Sequence, residues 1–559
     1  MNIKFVDRMK KQIHYILISV ILLIMGACTE DFLNLTPQDR LTFDDYFTNV
    51  EEIRAGTASL YGYPWFGFND KFFWLAGDCM SGNLYYTYDQ EGQYYYFTFT
   101  AGNAHLSDGW KSMFRVISYA NSIINDMPRQ AQANGVSQAD IDAGVGEARF
   151  IRATAYYILA EFWGEVPIVE NNTELISNND LLLPKNTRTS IYEFIRRDLV
   201  FASENLPATD EEAGRVTEWA AKGMLAKLYL TMAQNGGSDA ADNFEQAKQL
   251  AEDVITNSGL SLLEDYRDLF LLANDNNEES LFALQWMKGG YSLGNSRNAN
   301  WARSSLIADQ QWGGGKGCTY DFTSIVDTAD LRGSQIFMTL GDYYPELNTA
   351  NGGYTYNFET ENPENADNPL EAPNEVLNHL KKYVVGRAED NDGEVGIDQD
   401  AANNLYILRL ADVYLIYAEA ALGAGESTSD ATALQYFNAV RARAGLDPKS
   451  SITFMDVFNE RRVEFCLESL FWFDIKRYYY RDPDAAIVYL NAQKRHWVYT
   501  RISGSEDPNL LTSYELQTDQ NDPVVVTEDD MYLPIPTEEV QTNYLLDPDE
   551  PAVEYEFSE

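Results

Sequence analysis

Apolar side chains recur along this chain at the spacing of one helix face, repeatedly beside small alanines, and the stretches between them lack that period. Ile151, Ala155, Ile158 and Phe162 fall at i, i+4, i+7 and i+11, and Gly164 and Pro167 end the helix they predict. Arg149 and Arg152 belong to other faces of that helix and are expected on its surface. From Thr217, residues Ala221, Leu225, Leu228 and Met232 repeat the spacing. Gly236-Gly237 then makes a turn, and Phe244, Ala247, Ala251 and Val254 begin a second helix, so the pair predicts a helical hairpin. The arrangement returns in Ala411, Leu415, Ala418 and Leu422, a break at Gly423 and Gly425, and Ala433, Phe437, Val440 and Ala444 before Gly445. A last helix is expected across residues 458–478.

Residues 61–109 and 280–400 are rich in Tyr, Trp, Asn and Gly and have no helical period, which marks them as insertions carrying ligand contacts. One short run alternates: Leu281, Ala283 and Gln285 against Phe282, Leu284 and Trp286, a strand whose second face is open to the core. Small alanines opposite bulky aromatics are the packing of tetratricopeptide hairpins, although the W-x₂-L-G-x₂-Y form is absent. A plain helical bundle has the same periodicity, because period does not order helices in space. The expected fold is mainly α, a tetratricopeptide-like hairpin scaffold with loop and short-strand insertions holding the ligand site. Its expected divisions are 1–27, a signal peptide; 28–280, helical with the insertion at 61–109; and 281–559, with an insertion at 281–400 and hairpins at 405–480.

The amino terminus narrows the compartment. Lys4, Arg8, Lys10 and Lys11 precede an uncharged run at 13–25, a core near ~13 residues where a membrane span needs ~20. Met25-Gly26-Ala27-Cys28 then places a cysteine where a lipoprotein signal is cut and acylated, with a solvated tether from Thr29-Glu30-Asp31. Acylation by more than one chain would hold the protein stably on a membrane. An ordinary secretory signal with an incidental cysteine is the alternative. The net charge of −45 repels phosphate backbones and anionic head groups, which excludes nucleic acid and polybasic membrane docking. Besides Cys28, Cys79, Cys318 and Cys466 are widely separated and odd in number, so no disulfide framework is implied. His14, His105, His379 and His496 make no HxxxH or Cys/His cluster, which argues against zinc.

Two motifs resemble catalytic ones. Gly290-Tyr291-Ser292-Leu293-Gly294 is a literal G-x-S-x-G, but residues 295–300 are turn-forming rather than the helix a nucleophile elbow needs. Trp312-Gly313-Gly314-Gly315-Lys316-Gly317 has the glycines of a phosphate loop without the Ser or Thr, and reads as a loop holding Trp312. Acids are too numerous for any pair to identify a glycosidase. Asp390-Asn391-Asp392-Gly393-Glu394 has its glycine at the wrong step for an EF-hand, so no cofactor is expected, an adventitious calcium ion aside. Glu460, Arg461, Arg462 and Glu464 are expected as ion pairs between packed helices.

The aromatic content is more telling: 36 tyrosines and 10 tryptophans in a chain with little catalytic machinery. Many belong to the core, but Trp65, Trp74, Tyr85, Tyr86, Tyr88, Trp301 and Trp312 lie in the polar insertions. A flat indole suits the C–H face of a pyranose, and forked or planar polar groups suit its hydroxyls. The expected ligand platform is Trp286, Trp301 and Trp312 with Trp74 and Tyr86, drawn together by turns at Gly289-Gly290 and Gly313 to Gly315. Asp78, Asn83 and Arg297 are the polar partners expected beside it, with Asn300 and Arg303 also near in sequence.

Several blocks in one order carry a family resemblance: Asp31-Phe32-Leu33-Asn34-Leu35-Thr36-Pro37-Gln38, Glu147-Ala148-Arg149-Phe150-Ile151-Arg152-Ala153, Trp163-Gly164-Glu165-Val166-Pro167, Val440-Arg441-Ala442-Arg443-Ala444-Gly445-Leu446, Glu460-Arg461-Arg462-Val463-Glu464 and Leu533-Pro534-Ile535-Pro536. The chain resembles the SusD/RagB family of outer-membrane nutrient-binding lipoproteins over nearly its whole length. That resemblance implies a surface-exposed, lipid-anchored, non-catalytic protein of the outer membrane that captures a glycan and delivers it to a SusC-like TonB-dependent barrel. A peptide-capturing relative and a lipid-anchored glycoside hydrolase are the alternatives; ligand screening separates the first, and turnover of an oligosaccharide the second.

Overall fold

The computed structural model describes residues 46–357, 371–505, 507, 509–517 and 524–557, with 8–9 at the start. Cys28 and the block at 31–38 lie outside the described residues. Helix α1 (Val50–Ala58) begins at Asn49, whose side chain accepts from the Glu52 amide and satisfies one of the orphan donors of the first turn. The first insertion follows as tight turns, a 3₁₀ turn at Tyr63–Trp65 and two π-helical turns at Phe68–Phe72 and Leu75–Cys79. Phe68, Phe72, Phe73, Trp74 and Leu75 are all buried, and Asn69 and Asp78 are buried among them. Strand β1 (Leu84–Tyr85) and helix α2 (Asp89–Tyr96) complete it. The insertion ends at Asn103, which caps the next helix by accepting from the His105 and Leu106 amides, so it stops short of the expected Gly109.

The scaffold comprises α3 (Ala104–Ala133), α4 (Gln138–Trp163), α5 (Arg188–Asn205), α6 (Glu218–Gln234), α7 (Ala240–Asn257), α8 (Leu410–Leu422) and α9 (Ala431–Arg443). Each packs on the next, α7 on α8 included, so the stack continues across the second insertion. The fold is mainly α, with hairpins at 218–257 and 410–443 where the apolar periods predict them. Helix α4 is buried from Phe150 to Trp163 and ends at Gly164. Arg152 is not on its surface, because Asp198 takes the guanidinium in two bonds, Nε–Oδ2 and Nη2–Oδ1, both 2.8 Å. Arg149 stacks over Phe201 at 4.3 Å.

The expected strand at Leu281 is β2 (Ser280–Leu284). A second strand of the insertion, β3 (Gly317–Cys318), reaches back to β1, and β4 (Leu405–Arg409) pairs antiparallel with β2. The β2–β4 pair closes the base of the second insertion. Arg409, at the end of β4, is fully buried; its Nη1 meets Glu279 at 2.8 Å and Glu464 at 2.5 Å, and its Nη2 meets Glu468 at 2.8 Å. Arg443 reaches Glu279 at 2.5 Å and also binds Glu464. Base and scaffold are thereby tied through paired, desolvated charges, where losing one partner costs about 3–5 kcal/mol.

The helix expected across 458–478 is two helices, α10 (Phe454–Glu464) and α11 (Phe471–Arg481), followed by α12 (Pro483–Ala492). Between α10 and α11 the chain reverses through Leu467 and Ser469, both left-handed, at φ 64° and 65°. That backbone is unfavourable for non-glycine residues and persists where surrounding bonds fix it. The expected ion pairs are present: Glu460 with Arg332 at 2.8 Å, Arg461 with Asp412 at 2.8 Å, Arg462 with Asp321 at 2.8 Å, and Glu464 with Arg409. One contiguous apolar core runs through both halves of the chain.

Candidate functional site

The two insertions meet through a two-residue ladder. Leu84 pairs with Cys318 and Tyr85 with Gly317, which sets residues 85–88 beside residues 311–316. Between them opens a cleft of about 540 Å³ lined by Tyr85, Tyr86, Tyr88, Gln311, Trp312 and the glycines 314 and 315. Trp312 is 59 % exposed and Tyr88 70 %, large values for rings held on built loops. The Tyr86 and Tyr88 rings lie 6.4 Å apart at 30°, nearly aligned. Among the described residues, no carboxylate, lysine or arginine lines the cleft, and its walls are aromatic with amide and hydroxyl groups between them.

The Trp312 loop is fixed by backbone and by one lysine. Trp312 N donates to Ala299 O at 2.7 Å and Gly313 N to Ala302 O at 2.9 Å. Gly313 has no room for a side chain, since a Cβ there would lie 2.2 Å from Trp301 O, and Gly315 turns at φ +72°. Lys316 is buried beneath the loop, its Nζ donating to Trp312 O at 2.7 Å and Asn300 O at 3.0 Å. The same ammonium lies 4.4 Å from the Tyr86 ring centroid and 5.6 Å from that of Trp74. Burial, with Lys71 nearby, lowers its pKa to about 8. Partial burial and Glu91 push the Tyr86 phenol up to about 12, so its hydroxyl stays protonated. The glycine-rich motif is therefore no phosphate cradle: its lysine points inward and holds the loop.

Of the expected platform, the structure brings Tyr86 and Trp312 together at this cleft. Trp74 lies behind them with no exposure, its ring 6.1 Å from Tyr86 and its indole N–H bonded to Asp70 O, so it supports the site without facing it. Trp301 is fully buried, edge-on to Tyr383 at 6.0 Å with Arg297 5.1 Å above it. The expected strand stops at Leu284, two residues before Trp286, whose ring is buried against Phe66 at 6.3 Å.

The polar candidates are internal. Asp78 accepts from Leu467 N and Ser469 Oγ, each at 3.0 Å, while Arg297 donates to Leu467 O at 2.9 Å and Ser469 Oγ at 2.8 Å. Both fix the left-handed turn between α10 and α11, and burial raises the Asp78 pKa to about 6. Asn83 accepts from Arg462 Nε at 2.9 Å. Sequence proximity to aromatics misled here, because an insertion this long builds its own core and consumes its polar groups. Tyr85, Tyr88 and Gln311 were missing from the expected platform; their signal was adjacency to Tyr86 and Trp312.

The remaining motifs are also structural. Around Ser292, the Gly289 and Gly290 amides donate to Asp400 Oδ2 at 2.9 and 2.8 Å, and Tyr291 Oη donates to Asp70 at 2.7 Å. Each His379 nitrogen lies against a backbone carbonyl, Nδ1 at 2.9 Å from Lys316 O and Nε2 at 2.6 Å from Trp301 O, and the ring is fully buried. His496 is stacked on Tyr85 at 4.5 Å. In the candidate calcium loop, Asp390 accepts from the amides of Arg387, Asn348 and Thr349 and from Thr349 Oγ1, so its carboxylate caps loops instead of facing an open ion site.

Comparison with known proteins agrees with this architecture. A family model described as "SusD family" matches residues 229–549, and one described as "Starch-binding associating with outer membrane" matches 31–230. A SusD-like protein of Bacteroides ovatus is 36 % identical over 566 residues, 97 % of this chain and 98 % of that protein. The chain belongs to the SusD family. Starch-binding protein SusD of Bacteroides thetaiotaomicron is 27 % identical over 151 residues, covering 27 % of this chain and 26 % of that one. A crystal structure solved with a xylogluco-oligosaccharide superposes with a TM-score of 0.79 at 34 % identity, over 91 % of this chain and all of the other. Family membership carries an association with the outer membrane.

Proposed function

We propose that this protein captures a neutral oligosaccharide or polysaccharide in the cleft between Tyr86 and Trp312 and does no chemistry on it. The observation that carries this reading is the cleft itself: aromatic rings from two insertions, Tyr88 and Trp312 exposed, an amide and hydroxyls between them, and no charged side chain among the described residues of the lining. Ring faces supply contact area against pyranose C–H groups, and Gln311 with the tyrosine hydroxyls meets sugar hydroxyls. The relative solved with a xylogluco-oligosaccharide makes that sugar class the first ligand to try. Absence of catalysis is supported by the engaged nitrogens of His379 and by Asp400, spent on loop amides.

The protein acts at the cell surface on a lipid anchor at Cys28 and passes its ligand to a TonB-dependent barrel. Support for the anchor is the Met25-Gly26-Ala27-Cys28 sequence; support for the barrel is the family resemblance. Affinity electrophoresis of the soluble protein against neutral polysaccharides tests the binding reading: retardation by one of them is expected, and unretarded migration on all of them contradicts it. Co-purification with a barrel from mild detergent tests the delivery step; uptake that persists without any neighbouring transporter contradicts it.

A further inference from the structure

A larger cavity, about 780 Å³, lies away from the aromatic cleft, where the end of α4 and the first turn of α5 meet the end of α11 and residues 532–535. Its walls include the rings of Trp163, Tyr479, Tyr480 and Tyr532. Arg188, half-buried at the start of α5, lies 4.8 Å from the Tyr480 ring and 5.5 Å from Tyr532. Its polar partners are Asn235 Oδ1 at 3.1 Å and the Tyr480 hydroxyl, both neutral. Glu161, the nearest acid acting on it, already accepts from Tyr192 Oη at 2.6 Å and Tyr480 Oη at 3.3 Å.

The other charges around the cavity follow the same pattern. Lys185 Nζ donates to the Asp547 and Pro548 carbonyls, at 2.8 and 3.4 Å. Lys476, behind Tyr532, donates to Met531 O at 2.7 Å. Of the two lining acids, Glu554 is engaged by the Thr187 and Ser190 hydroxyls at 3.0 and 2.7 Å, and Glu165 is exposed at the rim. In a chain with 86 acids and 41 bases, the two lining cations, Lys185 and Arg188, are held by carbonyls, an amide and a hydroxyl rather than by carboxylates. Desolvated cations of that kind favour an incoming anion, and a guanidinium fork held against rings suits a planar carboxylate.

We propose that this cavity is a second saccharide site, on the helical scaffold, that takes an acidic sugar: a uronate whose carboxylate binds Arg188 and whose ring lies against the aromatic wall. The inference rests on the protein being a glycan binder, but uses residues that the neutral cleft does not share. Titration calorimetry with trigalacturonate as the probe tests it, on wild type, Arg188→Gln, Arg188→Lys and Trp312→Ala. Wild type binds; Arg188→Gln weakens binding about tenfold or more, the scale of one charge-assisted pair; Arg188→Lys, which keeps charge and fold but not the fork, falls between; Trp312→Ala binds as wild type. Absence of trigalacturonate binding by wild type overturns the proposal, as does binding unaffected in both Arg188 variants or lost through Trp312→Ala. Neutral-sugar binding measured on the same Arg188 variants stays unchanged, so failure here is distinct from failure of the aromatic cleft.

Discussion

Lys316 Nζ sits 4.4 Å from the centroid of the Tyr86 ring while donating to the carbonyl of Trp312, so one buried ammonium links the two rings that face the cleft. The loop carrying Trp312 is three glycines long at its tip, and without this tie little besides backbone bonds would set the indole opposite Tyr86.

Replacing Lys316 with Met leaves the Asn300 and Trp312 carbonyls without their donor. A loss of about 1–3 kcal/mol in stability is expected from the unsatisfied acceptors, together with weaker glycan binding. Chemical denaturation and titration on the same preparation check both; unchanged affinity would detach the lysine from the site.

Trp301→Ala is expected to cost about 3–5 kcal/mol of stability, as for other large-to-small changes in a packed core. Trp301 is fully buried, so a direct effect on ligand binding is not expected. Trp312→Ala should do the reverse, leaving the unfolding midpoint in place. Thermal unfolding of the two variants side by side makes the comparison.

The contrast between these tryptophans shows what the sequence disclosed and what it withheld. Helices α4, α6, α7, α8 and α9 were legible because their apolar residues and alanines recur at the helical spacing over several turns, with glycines marking breaks after α4, α6, α8 and α9. The first insertion was illegible as structure because its 3₁₀ and π-helical turns are three to five residues long and depart from the 3.6-residue period, so no stripe develops. The split between α10 and α11 was hidden for a different reason: Leu467 and Ser469, not glycines, take the left-handed backbone, fixed by Asp78 and Arg297 from far away in the chain. Those same two residues had been expected at the ligand. Tyr86 and Trp312 could be named, but the β1–β3 ladder that joins them is two residues long and has no sequence signature.

Asp275, near the base of the second insertion, accepts from the Asn404 amide, and burial raises its carboxyl from 3.8 to about 7. A folded pKa above the unfolded one means that the folded state holds the proton more tightly. Its contribution is full below about pH 4 and is lost as pH rises through about 7, on the order of 4 kcal/mol in all. Asp275→Asn should flatten the stability profile between those limits and be more stable than wild type at pH 8. Denaturation midpoints from pH 4 to pH 8 test this; parallel profiles for the two proteins would contradict it.

Cys28→Ser should release the protein from the membrane fraction, because acylation needs the thiol. Mass spectrometry of the mature wild-type protein is the check: a diacylated Cys28 at the amino terminus is expected, and an unmodified Cys28 counts against the anchor.

The most direct test of the central claim is titration calorimetry of a xylogluco-oligosaccharide, or of whichever neutral glycan retards the protein in gels, against wild type and a Tyr86→Ala/Trp312→Ala double variant. Each aromatic anchor is expected to contribute about 1–3 kcal/mol, so the double variant, still folded by its cooperative unfolding transition, should lose measurable binding. A folded double variant that binds with wild-type affinity would contradict the assignment and move the site off this cleft.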